Sequence, residues 1–219
     1  MNTLQLSQFF PALHALQLVH GDKSLLPVYG AGCLSNPKIC FIFMNPTAKN
    51  ISTRPEWSGL RAPWVGTKNI WKLLSALDLV DLADFEQIQA MRPSDWTADF
   101  VVALYQSLAD KKVYITNLGK CAQVYARALP DKVLKAYLDH TYEEVATLQP
   151  KHIVTFGNQV SSIFLKKKVS VSQYTDSQFE QLLIHDSLFH VYPTYYPVGL
   201  GMRNMHKAIA RIASILEEA

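Results

Sequence analysis

The chain has 219 residues, of which 49% are hydrophobic and 18% are charged, and its formal net charge is +3 at pH 7. This composition is too apolar and too sparsely charged for an intrinsically disordered chain, and the length suits a single domain. The longest purely apolar run, residues 39–44, is far shorter than the roughly 20 residues of a membrane-spanning helix. No basic region precedes an apolar stretch at the N-terminus, so we expect no signal peptide and a soluble, cytoplasmic protein without a membrane partner.

Cysteine content and charge narrow the classes of protein further. The cysteines, Cys33, Cys40 and Cys121, are odd in number, and no two of them have Cys-x-x-Cys spacing. This pattern argues against a disulfide framework and against a simple zinc site. The small positive charge is compatible with a polyanionic partner but does not require one.

Strand and helix patterns alternate along the chain. In chain order, the apolar periodicity predicts a helix over residues 4–16, a strand over 38–44, helices over 70–77 and 96–108, a strand over 113–117, a helix over 133–145, a strand over 152–156, a helix over 158–165, a strand over 188–192 and a helix over 205–216. We therefore expect an α/β protein in which residues 1–219 form one three-layer α/β/α domain around a central four-stranded parallel sheet.

The residues that close the four predicted strands are the first candidates for a site, because ligands of parallel sheets bind beyond the carboxyl ends of the strands. They include Asn45, Asn117, Gly157 and Tyr196. The common cofactor and nucleophile motifs are absent: there is no phosphate-binding loop, no His-Glu-x-x-His and no Gly-x-Ser-x-Gly. The Gly-Ala-Gly of residues 30–32 precedes a strand instead of following one, so it is not a dinucleotide-binding fingerprint.

Five segments, in order between residues 38 and 205, carry more specific patterns. Residues 44–46 are Met-Asn-Pro, residues 59–66 are Gly-Leu-Arg-Ala-Pro-Trp-Val-Gly, residues 114–121 are Tyr-Ile-Thr-Asn-Leu-Gly-Lys-Cys, residues 149–157 are Gln-Pro-Lys-His-Ile-Val-Thr-Phe-Gly, and residues 193–197 are Pro-Thr-Tyr-Tyr-Pro. Together they resemble the uracil-DNA glycosylase superfamily. The first segment is similar to its single-strand-selective and mismatch-specific branches, and the others are similar to its bacterial iron–sulfur branch.

The resemblance implies a monofunctional enzyme that needs no cofactor and hydrolyses the N-glycosidic bond of uracil, or a related damaged base, flipped out of DNA. We expect the protein to be a monomer, although the sequence does not fix its oligomeric state. In that case Asn45 places the attacking water through its side-chain amide, and Pro46 lies beside the base. Asn117 offers a donor and an acceptor to the edge of uracil, a pattern that cytosine presents in reverse. Trp64 has the position of the aromatic residue that stacks on the base.

Two features depart from the family's pattern around the base. The family has a histidine where this chain has Tyr196, and that histidine donates a hydrogen bond to uracil O2 as negative charge develops. A phenol is a neutral donor at pH 7, so either Tyr196 takes over the role or efficient uracil excision has been lost. Phe43 and Thr47 replace the glycines that flank the family's first motif, which puts a close approach of the backbone in doubt.

The cysteines depart from the pattern of the iron–sulfur branch as well. Only Cys121 has a clear counterpart among the cluster cysteines, and the position of its downstream partner falls near Tyr137. The sequence therefore predicts no iron–sulfur cluster and no metal ion. Residues 80–110 are interpreted as an additional helical segment between the second and third motifs.

The segment of residues 198–204 resembles the superfamily loop that enters the minor groove of DNA. In this interpretation Leu200 or Met202 is the wedge that fills the vacated stack, and Arg203 contacts a phosphate. Arg61 places a further basic residue beside the pocket.

The same residues also have a purely structural interpretation, with Asn45 and Asn117 stabilising turns and Trp64 and Tyr196 filling the core. Two alternatives to a glycosylase therefore stay open. One is a non-catalytic member of the same fold that binds nucleic acid or modified bases, which the departure at Tyr196 favours. The other is a hydrolase of a small nucleoside-like substrate, which the modest net charge favours.

Overall fold

The computed structural model describes residues 6–217, apart from the side chain of Leu200. Within these residues one six-stranded sheet has the strand order β1-β3-β2-β4-β6-β5. The strands are β1 (Ala31–Gly32), β2 (Ile39–Phe43), β3 (Val113–Asn117), β4 (His152–Phe156), β5 (Glu180–Ile184) and β6 (Ser187–Thr194).

Eight α-helices surround the sheet in this part of the chain: α1 (Phe10–His20), α2 (Asn69–Ala76), α3 (Leu82–Ala90), α4 (Ala98–Asp110), α5 (Asp131–Lys135), α6 (Leu138–Leu148), α7 (Asn158–Phe164) and α8 (Met205–Glu217). Short 3₁₀ turns lie at Ile51–Thr53, Pro93–Asp95, Val171–Gln173 and Gly199–Asn204. The start of the helix predicted over residues 4–16 lies outside the described residues, and the helix predicted over 133–145 is divided into α5 and α6. None of these helices is long and apolar enough to cross a membrane.

The four strands predicted from the sequence are the parallel centre of the sheet. β2 pairs in parallel with β3 and with β4, and β4 pairs in parallel with β6. Every residue of β2, β3 and β4 is buried, as their continuous apolar runs predict.

The expectation of a four-stranded, wholly parallel sheet is wrong, because an antiparallel strand extends each edge. β1 pairs with β3, and β5 pairs with β6 across the two-residue turn at His185 and Asp186. β1 is only two residues long and therefore has no periodicity to detect. β5 alternates between partly buried and exposed residues along most of its length, so it lacks the apolar run of a central strand.

The sheet separates two apolar cores, and alternate residues of one strand enter opposite cores. Phe41 and Phe43 of β2 pack in the core beneath α2, α4 and α8, whereas Cys40 and Ile42 pack in the core beneath α1, α6 and α7. Residues 80–110, predicted to be helical, contain α3, a 3₁₀ turn and α4, and they belong to the first of these cores. Both faces of the sheet are thus covered, which leaves the ends of its strands as the place for a site.

Candidate active site

A cleft of about 610 Å³ opens beyond the carboxyl ends of the central strands. The segments after β2, β3 and β6 contribute to it, together with the loop that leads into α2. The cleft brings together five residues singled out from the sequence: Asn45, Pro46, Trp64, Asn117 and Tyr196. Adjacent parallel strands produce this convergence, because Phe43 and Asn117 are register partners at the ends of β2 and β3.

Asn117 is the last residue of β3 and is only 2% exposed. Its side-chain amide makes no hydrogen bond to any residue that the structure describes, although it lines the cleft. An amide that faces a cleft in this way is normally satisfied by water or by a ligand. The amide of Asn117 therefore presents one acceptor and two donors to whatever enters the cleft.

The buried ion pair between Lys120 and Glu144 fixes the backbone carbonyl of Asn117. The Lys120 ammonium donates hydrogen bonds to Asn117 O (2.6 Å), to Thr116 Oγ1 (2.5 Å) and to Glu144 Oε2 (2.6 Å). Glu144 Oε1 accepts hydrogen bonds from Tyr114 (2.7 Å) and from Thr116 (3.0 Å). All three ammonium donors and both carboxylate oxygens are thus satisfied, which stabilises a charged pair in the core and fixes the end of β3.

Asn45 follows β2 and is half-buried. Its Nδ2 donates a hydrogen bond of 2.9 Å to the carbonyl oxygen of Pro46, which also accepts one from the backbone N–H of Gln123. This contact fixes the orientation of the amide and leaves Oδ1 without a hydrogen bond to any described residue. An amide oxygen accepts a hydrogen bond from water but is not a base, so Asn45 is suited to holding a water molecule in place.

Aromatic side chains form one wall of the cleft around Phe43. The Phe43 ring stacks on Phe156 at 4.3 Å between centroids, and the rings of Trp64 and Tyr196 meet it edge-on at 5.0 and 6.4 Å. Trp64 has φ = +69°, an unusual conformation for a bulky residue, and strain of this kind occurs often at functional sites. The replacement of the family's glycine by Phe43 therefore gives the two cleft aromatics a common support.

Tyr196 is a neutral hydrogen-bond donor in this setting. Burial raises the pKa of its phenol to about 12, so the hydroxyl keeps its proton at neutral pH. The hydroxyl makes no hydrogen bond to a described residue and is free to donate to a ligand. Gly201 permits the local backbone path, because a Cβ at this position would lie 2.0 Å from the Tyr196 carbonyl oxygen.

The charged residues that line the cleft are all basic. Lys49 and Arg54 are exposed, and Lys68 is half-buried with its ammonium donating to the carbonyl oxygen of Gln89. No Asp or Glu among the described residues lines the cleft. The resulting positive potential favours an anionic ligand. These three residues were not identified from the sequence, where isolated basic residues in loops carry no recognisable pattern.

Arg61 lies away from the cleft. Its guanidinium donates to the backbone carbonyl oxygens of Ser52, Arg54 and Trp57, so it stabilises the loop that precedes Trp64. It lines a second cavity of about 560 Å³, which lies between α1, α4 and residues 29–34. Lys120 and Glu144 also line this second cavity.

The loop predicted to enter the minor groove forms the 3₁₀ turn Gly199–Asn204. Gly199 lines the cleft, whereas Met202 and Arg203 are exposed and are not part of its lining. The side chain of Leu200 lies outside the described residues. The turn therefore lies beside the cleft, and the wedge and phosphate-binding roles of its residues stay predictions.

Glu144 was missed in the sequence although a signal for it exists. It lies on the apolar face of α6, where its neighbours Thr141, Val145 and Leu148 are also buried. A carboxylate on such a face requires a cationic partner, and Lys120 in the adjacent motif is the natural candidate. Sequence spacing alone does not show that these two residues meet.

The cysteines are free thiols in the protein core. Cys33, Cys40 and Cys121 are all buried, and burial is the main cause of a raised pKa at Cys121. Among residues 6–217 no group of three or more His, Cys, Asp or Glu side chains is arranged to hold a metal ion. The absence of an iron–sulfur cluster from this protein stays a prediction.

Among the described residues, the charged side chains that line the cleft are all basic. A three-layer α/β domain whose strand ends meet at such a cleft of amides and aromatics is suited to an anionic ligand that bears a planar ring. The family model described as the uracil DNA glycosylase superfamily matches residues 29–219, nearly the whole chain. The protein therefore belongs to the uracil-DNA glycosylase superfamily, as its motifs predict, and this membership supports a DNA glycosylase-like function in general, with DNA as the partner. None of the curated proteins compared with the chain is significantly similar to it.

Proposed function

We propose that this protein hydrolyses the N-glycosidic bond of uracil, or of a closely related damaged base, after the nucleotide is flipped out of DNA into the cleft. The observation that carries the proposal is the side chain of Asn117, which is buried, lines the cleft and has no partner among the described residues. A planar ligand with adjacent donor and acceptor groups satisfies this amide. Uracil is such a ligand.

Base recognition follows from the geometry of one amide. Asn117 Oδ1 accepts a hydrogen bond from uracil N3–H, and Asn117 Nδ2 donates one to uracil O4. One base therefore satisfies both polar atoms of the amide. Cytosine presents a lone pair at N3 and an amino group at C4, which sets donor against donor and acceptor against acceptor. Such mispairing in a buried site discriminates strongly between bases. Trp64 supports the same base through its aromatic face, which contributes roughly 1–3 kcal/mol per stacked base.

The chemical step needs little more than placement of water and stabilisation of charge. The bond between C1′ and the base nitrogen breaks with its electron pair on the base, and a water oxygen bonds to C1′. One proton of that water passes to solvent, and the departing base anion takes a proton from solvent. Asn45 Oδ1 holds the water, and the neutral phenol of Tyr196 donates to the negative charge that develops on uracil O2. No cofactor takes part.

DNA meets the cleft through its basic rim. Lys49, Arg54 and Lys68 neutralise phosphates on either side of the extruded nucleotide, and Arg203 adds a contact from the neighbouring 3₁₀ turn. Met202 or Leu200 supplies the apolar wedge that fills the gap in the stack. Arg61 acts on this surface indirectly, since its guanidinium is engaged with backbone carbonyls.

The experiment uses labelled oligonucleotides with a single uracil, in single-stranded and duplex form, followed by alkaline cleavage at abasic sites. We expect strand scission that depends on the protein and on uracil, with none from matched thymine or cytosine oligonucleotides. Free deoxyuridine serves as a control and should be hydrolysed far more slowly. Equal turnover of deoxyuridine and of DNA would instead support the hydrolase of a small nucleoside.

A non-catalytic member of the fold is the second candidate. The substitution of tyrosine for the family's histidine at Tyr196 favours it, because a phenol lacks the cationic form of an imidazole. Salt-sensitive binding of uracil-containing DNA without any scission, in the same samples, would support this candidate over the enzyme.

A further inference from the structure

Residues 123–129 follow β3 and form a wall of the cleft. Some of their side chains line the cleft, and others are exposed to solvent. Val124 and Ala126 line the cleft, whereas Tyr125 between them is 67% exposed. The segment is fixed at both ends: the backbone N–H of Gln123 donates to Pro46 O, and Leu129 O accepts a hydrogen bond from Gln159. This wall is therefore a defined surface beside the cleft.

The exposed side chains of this wall form a pair. The backbone N–H of Arg127 donates to Tyr125 O at 2.9 Å, which closes a tight turn centred on Ala126. The guanidinium carbon of Arg127 lies 5.4 Å from the centroid of the Tyr125 ring, within the range of a cation–π contact. A large aromatic ring is thus exposed at the mouth of the cleft, with a positive charge beside it.

We propose that Tyr125 stacks on an unpaired base directly next to the nucleotide held in the cleft, and that Arg127 binds the adjoining phosphate. This inference rests on the proposed function only in placing a DNA strand across the cleft. An exposed aromatic ring with a neighbouring arginine is the usual platform for single-stranded nucleic acid, because every base offers a flat face to it. The charge agrees, since Arg127 is an exposed basic residue next to Ala126 of the cleft wall, and the charged residues that line the cleft are basic as well.

The stacking platform of Tyr125 and Arg127 has a consequence for the preference between single-stranded and duplex DNA. In a duplex the base next to the flipped nucleotide is paired and stacked on its other neighbour, and the proposed wedge covers the face that it turns to the vacated gap. It therefore cannot also lie against Tyr125 without being unstacked. In single-stranded DNA the same base is available. Tyr125 and Arg127 therefore favour single-stranded over duplex substrate.

The test is a double-mutant cycle. One change removes the aromatic ring of Tyr125 from the protein, and the other removes the neighbouring base from the DNA. The affinity of single-stranded oligonucleotides with one 2′-fluoro-deoxyuridine, which resists hydrolysis, is measured by fluorescence anisotropy. The nucleotide on the 5′ or on the 3′ side is replaced by a tetrahydrofuran abasic analogue. For wild type we expect Kd to rise about tenfold or more when the base on one of the two sides is removed.

The variants complete the cycle. Tyr125→Ala should raise Kd by the same factor and should show no further loss when that base is absent, whereas Tyr125→Phe should behave as wild type. Arg127→Ala should weaken binding and reduce the slope of log Kd against log salt concentration by about one unit. Leu183→Ala, which alters a comparably exposed apolar residue on β5, and Lys168→Ala, which removes one exposed charge, should leave both quantities unchanged.

The outcomes separate the platform from the proposed function. Additive losses from Tyr125→Ala and from base removal, or equal losses in Leu183→Ala, would overturn the platform even if the protein excises uracil. Coupled losses would establish it even if no excision is found, because the readout is binding to a non-cleavable oligonucleotide.

Discussion

The cleft of about 610 Å³ at the strand ends and the second cavity of about 560 Å³ beside α1 and α4 are similar in size. Both contain buried polar groups, but these groups differ in how they are satisfied. Lys120 and Glu144, which line the second cavity, are fully paired with each other and with their neighbours. Asn117 and Tyr196, which line the cleft, have side-chain polar groups with no partner among the described residues.

In the proposed function, unmet hydrogen-bonding capacity at the cleft, rather than volume, distinguishes the binding site from the second cavity. A polar group that is satisfied within the protein has nothing left to offer a ligand, and it contributes to stability instead. A group left unsatisfied in a buried position costs stability and recovers it when a ligand binds. Changes at the cleft should therefore affect function and leave stability nearly intact, while changes at the ion pair should do the reverse.

The largest expected effect is at Asn117. Asn117→Asp replaces the amide donors by a second acceptor, so uracil O4 faces an oxygen while the amino group of cytosine gains a partner. We expect uracil excision to fall by roughly a thousandfold or more and excision to shift toward cytosine, since each lost or repulsive buried contact costs about 1–3 kcal/mol or more. Single-turnover cleavage of the two oligonucleotides measures both changes.

The matched control for Asn117→Asp is Asn36→Asp, the same chemical change in an exposed loop before β2. It should leave the rates and the preference for uracil unchanged. An unaltered preference in Asn117→Asp would remove Asn117 from base recognition.

The second effect concerns stability. Glu144→Ala leaves the ammonium of Lys120 buried without its carboxylate, so the free energy of unfolding should fall by about 3–5 kcal/mol. Glu143→Ala alters the preceding residue of the same helix, whose carboxylate pairs with His185 at the surface (2.9 Å), and should cost no more than about 1 kcal/mol. Urea denaturation of both variants measures the contrast, and equal losses would contradict the structural role of the pair.

Asn45→Ala should separate catalysis from binding. The change removes the acceptor that holds water but leaves the base-reading amide in place, so we expect single-turnover excision to fall by roughly a hundredfold. The Kd for uracil-containing DNA should stay near that of wild type. Asn69→Ala, at another asparagine that lines the cleft, is the control and should retain the wild-type rate. A parallel loss of affinity in Asn45→Ala would show that Asn45 binds the base instead.

The smallest effect is a dependence on pH. Because burial raises the pKa of Tyr196 to about 12, the phenol stays protonated, and neither Asn45 nor Asn117 titrates. The kcat/KM of wild type should therefore be flat between about pH 6 and pH 9. Tyr196→His introduces a group with an ordinary pKa of about 6.5, so its kcat/KM should increase as the pH falls through that value. A wild-type profile that changes near pH 6.5 would indicate a different titrating group in the mechanism.

The central strands and the meeting of the cleft residues could be predicted because both follow from local patterns. A continuous apolar run indicates a strand buried on both faces, and the carboxyl ends of parallel strands meet at one edge. Asn45 and Asn117 each stand at such an end, so their proximity follows from the sheet. The edge strand β1 could not be predicted, since two residues carry no period.

Other features depend on contacts between distant parts of the chain. Arg61 was expected beside the pocket, yet its guanidinium turns to the backbone carbonyls of its own loop, a direction that no spacing encodes. The pairing of Lys120 with Glu144 joins a loop to a helix further along the chain and depends on packing. Sequence patterns thus predicted residues that meet in one cleft, while the internal supports of the cleft required the structure.

The order of the strands also governs when this protein can fold. Both hydrogen-bonding edges of β2 are occupied by strands that occur much later in the chain, β3 from Val113 and β4 from His152. The ribosome therefore releases a strand that is apolar on both faces long before either neighbour has been synthesised. Long-range pairing is slow, and unpaired apolar strands promote aggregation. β2 can pair along both of its edges only after the chain as far as Phe156 has left the exit tunnel, and the parallel centre of the sheet is completed only when β6 has followed.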